Sequence, residues 1–309
     1  MPHRIQFRKC ELPEAFKGCN NPKTDALRHK VREAAREAYG VVVNSFQELD
    51  AEYVKEYKRV TGQKVWCVGP VSLSNKDDVD KAQRGNDKYH HQEEEYMKWL
   101  DSWPERSVIY VCLGSLNRVT PEQLMELGLG LEATKRPFIW VLRGAYKREE
   151  MENLLKEDGL EERVRGRGIL IRGWVAQILI LSHRAIGAFL THCGWNSTLE
   201  GICSGVPMVT FPLFSEQFYN EKIVVEIVGT GVRIGVEIPV RWGDEDRVGV
   251  LVKRNRIVEA IEMCMEGSEE GDMRRNRAIQ LGKMARKATE EQGSSYHNIS
   301  CLIQDIMDH

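Results

Sequence analysis

The chain has 309 residues, 29% of them charged, with a formal net charge of −2 and an isoelectric point near 6.5. That length holds one large or two modest domains, and the charge balance gives no electrostatic reason to expect nucleic acid as a partner. No run approaches the roughly 18 apolar residues of a membrane span and no signal peptide opens the chain, so a cytoplasmic protein without membrane insertion is expected.

In chain order, Lys23 to Tyr39 reads as a polar helix ended by Gly40, and Val41 to Ser45 as a buried strand. Glu48 to Val60 gives a second helix and Val65 to Val68 a second strand. Two strands with two helices cannot enclose a core, so residues 1–70 read as the remnant of a larger domain. Residues 71–92 are charged and almost free of large apolar side chains, the composition of an exposed linker. Asp78-Val79-Asp80 in that linker and Asp244-Glu245-Asp246 further on have the spacing of a metal-binding carboxylate pair. Neither follows a clear strand, and both read as solvated acidic loops, as His90-His91 reads as a solvated pair.

A regular α/β pattern begins at Glu93 and weakens after Val225, within a domain expected to span residues 93–292. Val108 to Cys112 is a strand ending in Leu113-Gly114-Ser115. Thr120-Pro121-Glu122-Gln123 has the form of a capping box with proline at the first helical position, opening a helix to about Ala133. Further strands are expected at Phe138–Leu142, Ile169–Arg172, Gly187–Leu190 and Pro207–Phe211; with helices between them they make a parallel sheet with right-handed crossovers. After Val225 a glycine-rich, charged segment leads to helices near Arg256–Met265 and Asp272–Glu291, with Arg274-Arg275-Asn276-Arg277 as a solvated face. Residues 293–309 hold an amphipathic helix carrying Ile299, Leu302, Ile303 and Ile306 on one side. The eight cysteines (10, 19, 67, 112, 193, 203, 264, 301) form no Cys-x-x-Cys pair, and buried free thiols in a reducing compartment account for them.

The densest chemistry lies between Trp174 and Gln217. Asn196 is placed to cap a helix running through Thr198–Ser204, and Gly194 permits close backbone approach. Free amides at such a helix start make a seat for phosphate, to which His192 would add a donor. Glu200, four residues beyond Asn196, falls on the same helix face, where a carboxylate accepts from adjacent sugar hydroxyls. Ser115, Trp174–Gln177, His192–Ser197 and Glu216–Gln217 each follow an expected strand, and open parallel sheets bind ligands outside the carboxyl ends of their strands. Bland roles exist for each: Trp174 as rim packing, His192 as a buried core histidine, Ser115 as a turn residue, Glu216 and Gln217 as helix-start residues.

All 44 positions from Trp174 to Gln217, with HCGWNSTLEG intact, resemble the signature box of plant secondary-product UDP-glycosyltransferases. The resemblance implies a GT-B type enzyme, of which residues 93–292 are the Rossmann-like, UDP-sugar-binding half. Residues 1–70 are then a fragment of the N-terminal, acceptor-binding domain, and residues 293–309 a helix crossing back onto it. By resemblance Trp174 stacks on uracil, with Val175, the Ala176 backbone and Gln177 at the base edge. Ser115, His192, Gly194, Trp195, Asn196 and Ser197 receive the phosphates, Glu200 the ribose hydroxyls, and Glu216 and Gln217 the hexose. The terminal glutamine accompanies glucose as donor.

The implied reaction moves glucose from UDP-glucose to a hydroxyl of a small lipophilic plant metabolite with inversion, without cofactor or metal, by a monomer when full length. Family members use a histidine near their N-terminus, oriented by an aspartate, as general base. None of the eight histidines stands in a matching motif, so the base is expected in an N-terminal region that this sequence lacks. Two departures from the family pattern stand out: Val175-Ala176 replaces Ala-Pro, which should loosen that loop, and Glu216 stands where aspartate is commoner. The alternatives are a non-catalytic UDP-sugar-binding module, if Met1 is the true start, and a UDP-sugar epimerase.

Overall fold

The computed structural model describes residues 2–13, 22–74, 90–144 and 146–308. Near the start, β1 (Gly40–Val43) pairs in parallel with β2 (Lys64–Cys67), each preceded by a helix, α1 (Pro22–Glu37) and α2 (Gln47–Thr61). Helix α3 (His90–Asp101) then leads into the main sheet, starting three residues before the expected domain boundary at Glu93. The remainder of the expected linker, with Asp78 and Asp80, lies largely outside the described residues.

Six parallel strands form that sheet: β3 (Val108–Cys112), β4 (Phe138–Leu142), β5 (Gly168–Arg172), β6 (Ile186–Thr191), β7 (Met208–Thr210) and β8 (Gly231–Arg233). Their order across the sheet is β5-β4-β3-β6-β7-β8. Strands β3, β4 and β6 are buried at every position, which is why they read as unbroken apolar runs. Successive side chains of β3 point to opposite faces. Ile109 and Val111 join the cluster under α4 (Pro121–Ala133) and α11 (Arg254–Met265), while Val108, Tyr110 and Cys112 join the one under α3, α7 (Gln177–Ser182) and α8 (Trp195–Ser204). Strand β8 has no sequence signal, being three residues with a glycine. That glycine, Gly231, is required by packing, since a Cβ there would lie 2.4 Å from a Val224 methyl.

The connections fix where a ligand can sit. The chain leaves β3 for β4, through α5 (Arg148–Asp158) and α6 (Leu160–Arg163) to β5, then returns through α7 to lay β6 on the other side of β3. At β3/β6 the crossovers diverge, which opens a crevice at the carboxyl ends of those two strands.

The C-terminal helices tie the two sheets together. Helix α12 (Glu269–Thr289) packs on α8, and α13 (Ser294–Met307) lies against β2 and α2. There Lys64 pairs with Asp305 at 2.9 Å and the Ser294 hydroxyl donates to Glu48 at 2.8 Å. The apolar stripe of α13 remains open, with Ile303 53% and Ile306 64% exposed.

Two local expectations are corrected. Arg274 is buried rather than solvated, because its guanidinium donates to the Met263 carbonyl at 2.7 Å and pairs with Glu270 at 2.8 Å. The capping box closes on one side only: Thr120 Oγ1 accepts from the Gln123 amide, but the Gln123 side chain turns inward. Its Oε1 accepts from the amides of Leu251 and Val252 at 2.6 and 2.8 Å, and its Nε2 donates to the Val252 carbonyl at 3.0 Å. A buried side chain satisfying three backbone groups across the core outweighs one satisfying a helix end. Gln123→Ala should therefore destabilise the fold by about 2–4 kcal/mol, against about 1 kcal/mol for Thr120→Ala. Equal losses in denaturant titrations would show that the inward network contributes nothing beyond the cap.

Candidate functional site

The crevice at the strand switch holds a cavity of about 380 Å³. Gly114 and Ser115 after β3, Arg143 after β4, Trp174, Val175 and Gln177 after β5, and His192, Gly194–Ser197 and Glu200 around the start of α8 line it. Four strand ends thus contribute to one wall.

His192 is wedged between two glycines. A Cβ on Gly114 would lie 2.6 Å from its Nε2, and one on Gly194 would lie 2.5 Å away. Gly114 also has φ +76°, so it is held to glycine both by conformation and by space. Gly194 has φ −59°, and its requirement is space alone. The His192 Nδ1 is enclosed without a hydrogen-bond partner. Burial draws its pKa down to about 4, against the opposing pulls of the Glu216 carboxylate and the Cys112 backbone. At neutral pH the ring is an uncharged dipole rather than a cation.

Helix α8 begins at Trp195, capped by Gly194, and not after an Asn196 cap. The cause lies one residue earlier. Cys193 has φ +64°, a left-handed conformation uncommon for a side-chain-bearing residue, and it turns the chain sharply from β6 into the helix. The turn is held by Asn220 Nδ2, which donates to the Cys193 carbonyl at 2.8 Å. No side-chain cap occupies the first turn, so the leading amides and the positive end of the helix dipole meet the cavity. Asn196 instead sits exposed in that turn, where its Oδ1 accepts from Asn44 at 3.5 Å. The Trp195 indole donates to the Asn44 carbonyl at 2.8 Å, docking the end of β1 onto the site.

Trp174 is half-buried on the cavity wall. The following residues make a tight turn: the Gln177 backbone amide donates to the Val175 carbonyl at 2.9 Å, an inverse γ-turn with Ala176 at φ −73°, ψ 77°. Val175 and Ala176 are both buried. The backbone at Ala176 already has the φ that a proline would impose. The Gln177 side chain faces the protein, accepting from the Tyr110 hydroxyl at 3.1 Å and donating to Ser197 at 3.1 Å and Glu200 at 2.7 Å.

Not every expected residue reaches the cavity. Gln217 is buried, and its Oε1 accepts from the amides of Leu213 and Phe214 at 2.8 and 3.1 Å, bracing its own loop at the start of α9 (Gln217–Lys222). Glu216 is exposed just before α9, near enough to His192 to act on its charge. Ala176 lies behind the wall. Conversely, Arg143 lines the cavity unannounced, and Tyr110 supports Gln177 from behind it. Arg143 follows a recognised strand and was accessible to the same strand-end rule; Tyr110 in mid-strand carried no signal.

The carboxylates of 244–246, around the short helix α10 (Glu245–Val248), are committed elsewhere. Asp244 pairs with Arg247 at 2.8 Å, Glu245 with Arg118, and Asp246 with Lys147 at 2.8 Å. Among the described residues no group of three His, Cys, Asp or Glu could hold a metal ion, and no helix is long and apolar enough to cross a membrane.

With that geometry in place, residues 25–240 match the family model for UDP-glucoronosyl and UDP-glucosyl transferase, a span that contains every wall of the cavity. The chain belongs to this family. UDP-glycosyltransferase 73D1 of Arabidopsis thaliana is 53% identical over 320 residues, covering 100% of this chain and 63% of that protein. UDP-glycosyltransferase 73C4 of Solanum lycopersicum is 48% identical, covering 99% of this chain and 88% of that protein. Among solved structures, a Glycyrrhiza uralensis UGT73P12 complex with glycyrrhetinic acid 3-O-monoglucuronide superposes with a TM-score of 0.91 at 39% identity, covering 100% of this chain and 61% of that one. A Siraitia grosvenorii transferase in complex with UDP gives 0.80 at 30%, covering 96% and 65%. The chain thus spans a little under two thirds of the Arabidopsis relative, and its fold is that of plant UDP-glycosyltransferases of GT-B type.

In this family member the state of His192 is open to measurement. Its pKa is about 4 folded against an ordinary 6.5. Above pH 6.5 it is neutral in both states. As pH falls from about 6.5 to about 4 the unfolded chain takes up a proton that the folded chain refuses, so stability declines across that window and no further below it. His192→Gln should show a shallower decline than the parent between those pH values in urea titrations, and parallel curves would mean that the ring is not desolvated.

Proposed function

We propose that the β3/β6 cavity is the donor site of a UDP-glucose-dependent glucosyltransferase that acts on a hydroxyl of a small lipophilic plant metabolite. The observation that carries this is the start of α8, free of any side-chain cap, opening beside a neutral, glycine-wedged His192, with the Trp174 indole and Glu200 on the same cavity wall. Uracil would stack on Trp174, the ribose hydroxyls would donate to Glu200, and the diphosphate would lie on the amides of Trp195–Ser197 with Ser115 and His192. The hexose would then extend from His192 towards Glu216, with Gln217 bracing the loop that presents it. Membership of the family and likeness to a UDP complex support this orientation.

In the transfer step the acceptor oxygen forms a bond to the anomeric carbon as the bond to the UDP oxygen breaks, inverting that carbon. Negative charge grows on the departing diphosphate, where prearranged helix amides and the imidazole dipole stabilise it. Those groups supply here the role a metal ion plays in other transferases.

The acceptor proton requires a base, and a His192 of pKa about 4 is too weak for that task at neutral pH. His183 is the described histidine paired with an aspartate, at 3.2 Å from Asp101, but its Nδ1 accepts from the Ala185 amide and it precedes β6, at the opposite strand end. Neither histidine therefore serves as the base. On this reading residues 1–70 belong to the acceptor-binding domain and 93–292 to the donor domain.

Calorimetry in the presence of chelator should give saturable binding of UDP and UDP-glucose. Trp174→Ala should weaken UDP binding by about 1–3 kcal/mol through loss of the stacking face. Binding that requires added Mg²⁺ or Mn²⁺, or a Trp174→Ala protein with unchanged affinity, would overturn the assignment.

A further inference from the structure

Tyr110 is fully buried in the middle of β3, one layer behind the cavity, with its ring stacked on Phe189 at a centroid distance of 5.1 Å. Burial pushes its hydroxyl well above the ordinary phenol range, so it is protonated at any physiological pH and must donate. Two acceptors adjoin it. The Cys112 thiol, two residues along the same face of β3, is a weak one; the Gln177 Oε1 at 3.1 Å is a strong one.

The consequence runs through Gln177. A carboxamide has one oxygen and one NH₂ group, so a donor at its oxygen turns both N–H bonds the other way. They point at Ser197 Oγ, 3.1 Å away, and Glu200 Oε2, 2.7 Å away. Ser197, accepting from Gln177, keeps its own proton for a partner on its other side. Glu200 is held by a charge-assisted hydrogen bond instead of swinging on a flexible side chain. Both residues line the cavity.

We propose that Tyr110, acting through Gln177, is a positioning residue that holds Glu200 and Ser197 in the geometry that reads the ribose of the donor. The inference rests on the donor-site reading given above and extends it to a residue that touches no ligand. It makes ribose recognition depend on a phenol inside the sheet. Without that hydroxyl, the Gln177 oxygen is buried against a phenyl edge and gains by turning away, which releases Glu200.

The test compares UDP with 2′-deoxy-UDP by calorimetry, in the parent chain and in Tyr110→Phe, Glu200→Gln and the double variant. The parent should prefer UDP. Tyr110→Phe should weaken UDP by about 3–10-fold, the loss of one hydrogen bond in a buried network, while leaving 2′-deoxy-UDP nearly unchanged, so that the preference collapses. In the Glu200→Gln background the same change should no longer move the ratio. Gln177→Met, which removes the link at similar length, should reproduce the loss and guards against a Tyr110→Phe protein that folds poorly. A merely structural Tyr110 would lower both affinities together; a retained ratio in Tyr110→Phe or Gln177→Met overturns the relay. A parent chain that binds both nucleotides equally, or neither, overturns the donor-site reading, and the relay with it.

Discussion

The site depends on one close contact: the His192 imidazole seated between Gly114 and Gly194, with no room for a Cβ on either. Gly114 follows β3 and Gly194 caps α8, so the ring spans the two strand ends that diverge at the topological switch. Because β3 and β6 are adjacent and in register through Val111–Leu190 and Cys112–Thr191, the turns leaving them must separate immediately. The imidazole fills the point of separation. A Cβ at either glycine would collide with the ring and force it from its seat.

That arrangement also sets the electrostatics. A protonated histidine would neutralise a phosphate in the ground state, but its own desolvation would be costly in the empty site. A neutral ring beside uncapped helix amides gives a graded, preorganised field of dipoles instead, in which no charge has to be buried before the ligand arrives. The left-handed Cys193 is the strained residue that permits the helix to begin so early, and Asn220 holds it in place from α9. The cavity wall is therefore braced from neighbouring elements on either side: α9 through Asn220 and β3 through Tyr110 and Gln177.

Much of this was legible in the residues. The buried strands announce themselves as apolar runs, and the rule that ligands sit at strand ends collected most of the cavity lining and would have added Arg143. What remained hidden was set by tertiary contacts. Asn196 is a good helix cap by composition, yet a positive φ at Cys193, which no cysteine advertises, moves the cap to Gly194. Gln123 fits the capping-box spacing, but three unpaired backbone groups across the core are the stronger claim on it. Arg274 belongs to a charged cluster, and the Met263 carbonyl together with Glu270 explains its burial. Gln217 was expected to face ligand, yet its side chain satisfies the Leu213 and Phe214 amides instead, because bridging buried backbone groups satisfies more of them than an open wall does.

The central claim concerns where the diphosphate rests. A crystal structure of this chain with UDP tests it most directly. The account predicts uracil against the Trp174 indole, and phosphate oxygens within hydrogen-bond distance of the Trp195–Ser197 amides and the His192 ring. A nucleotide seated elsewhere, or phosphates held by the 244–246 carboxylates through a metal ion, would contradict it.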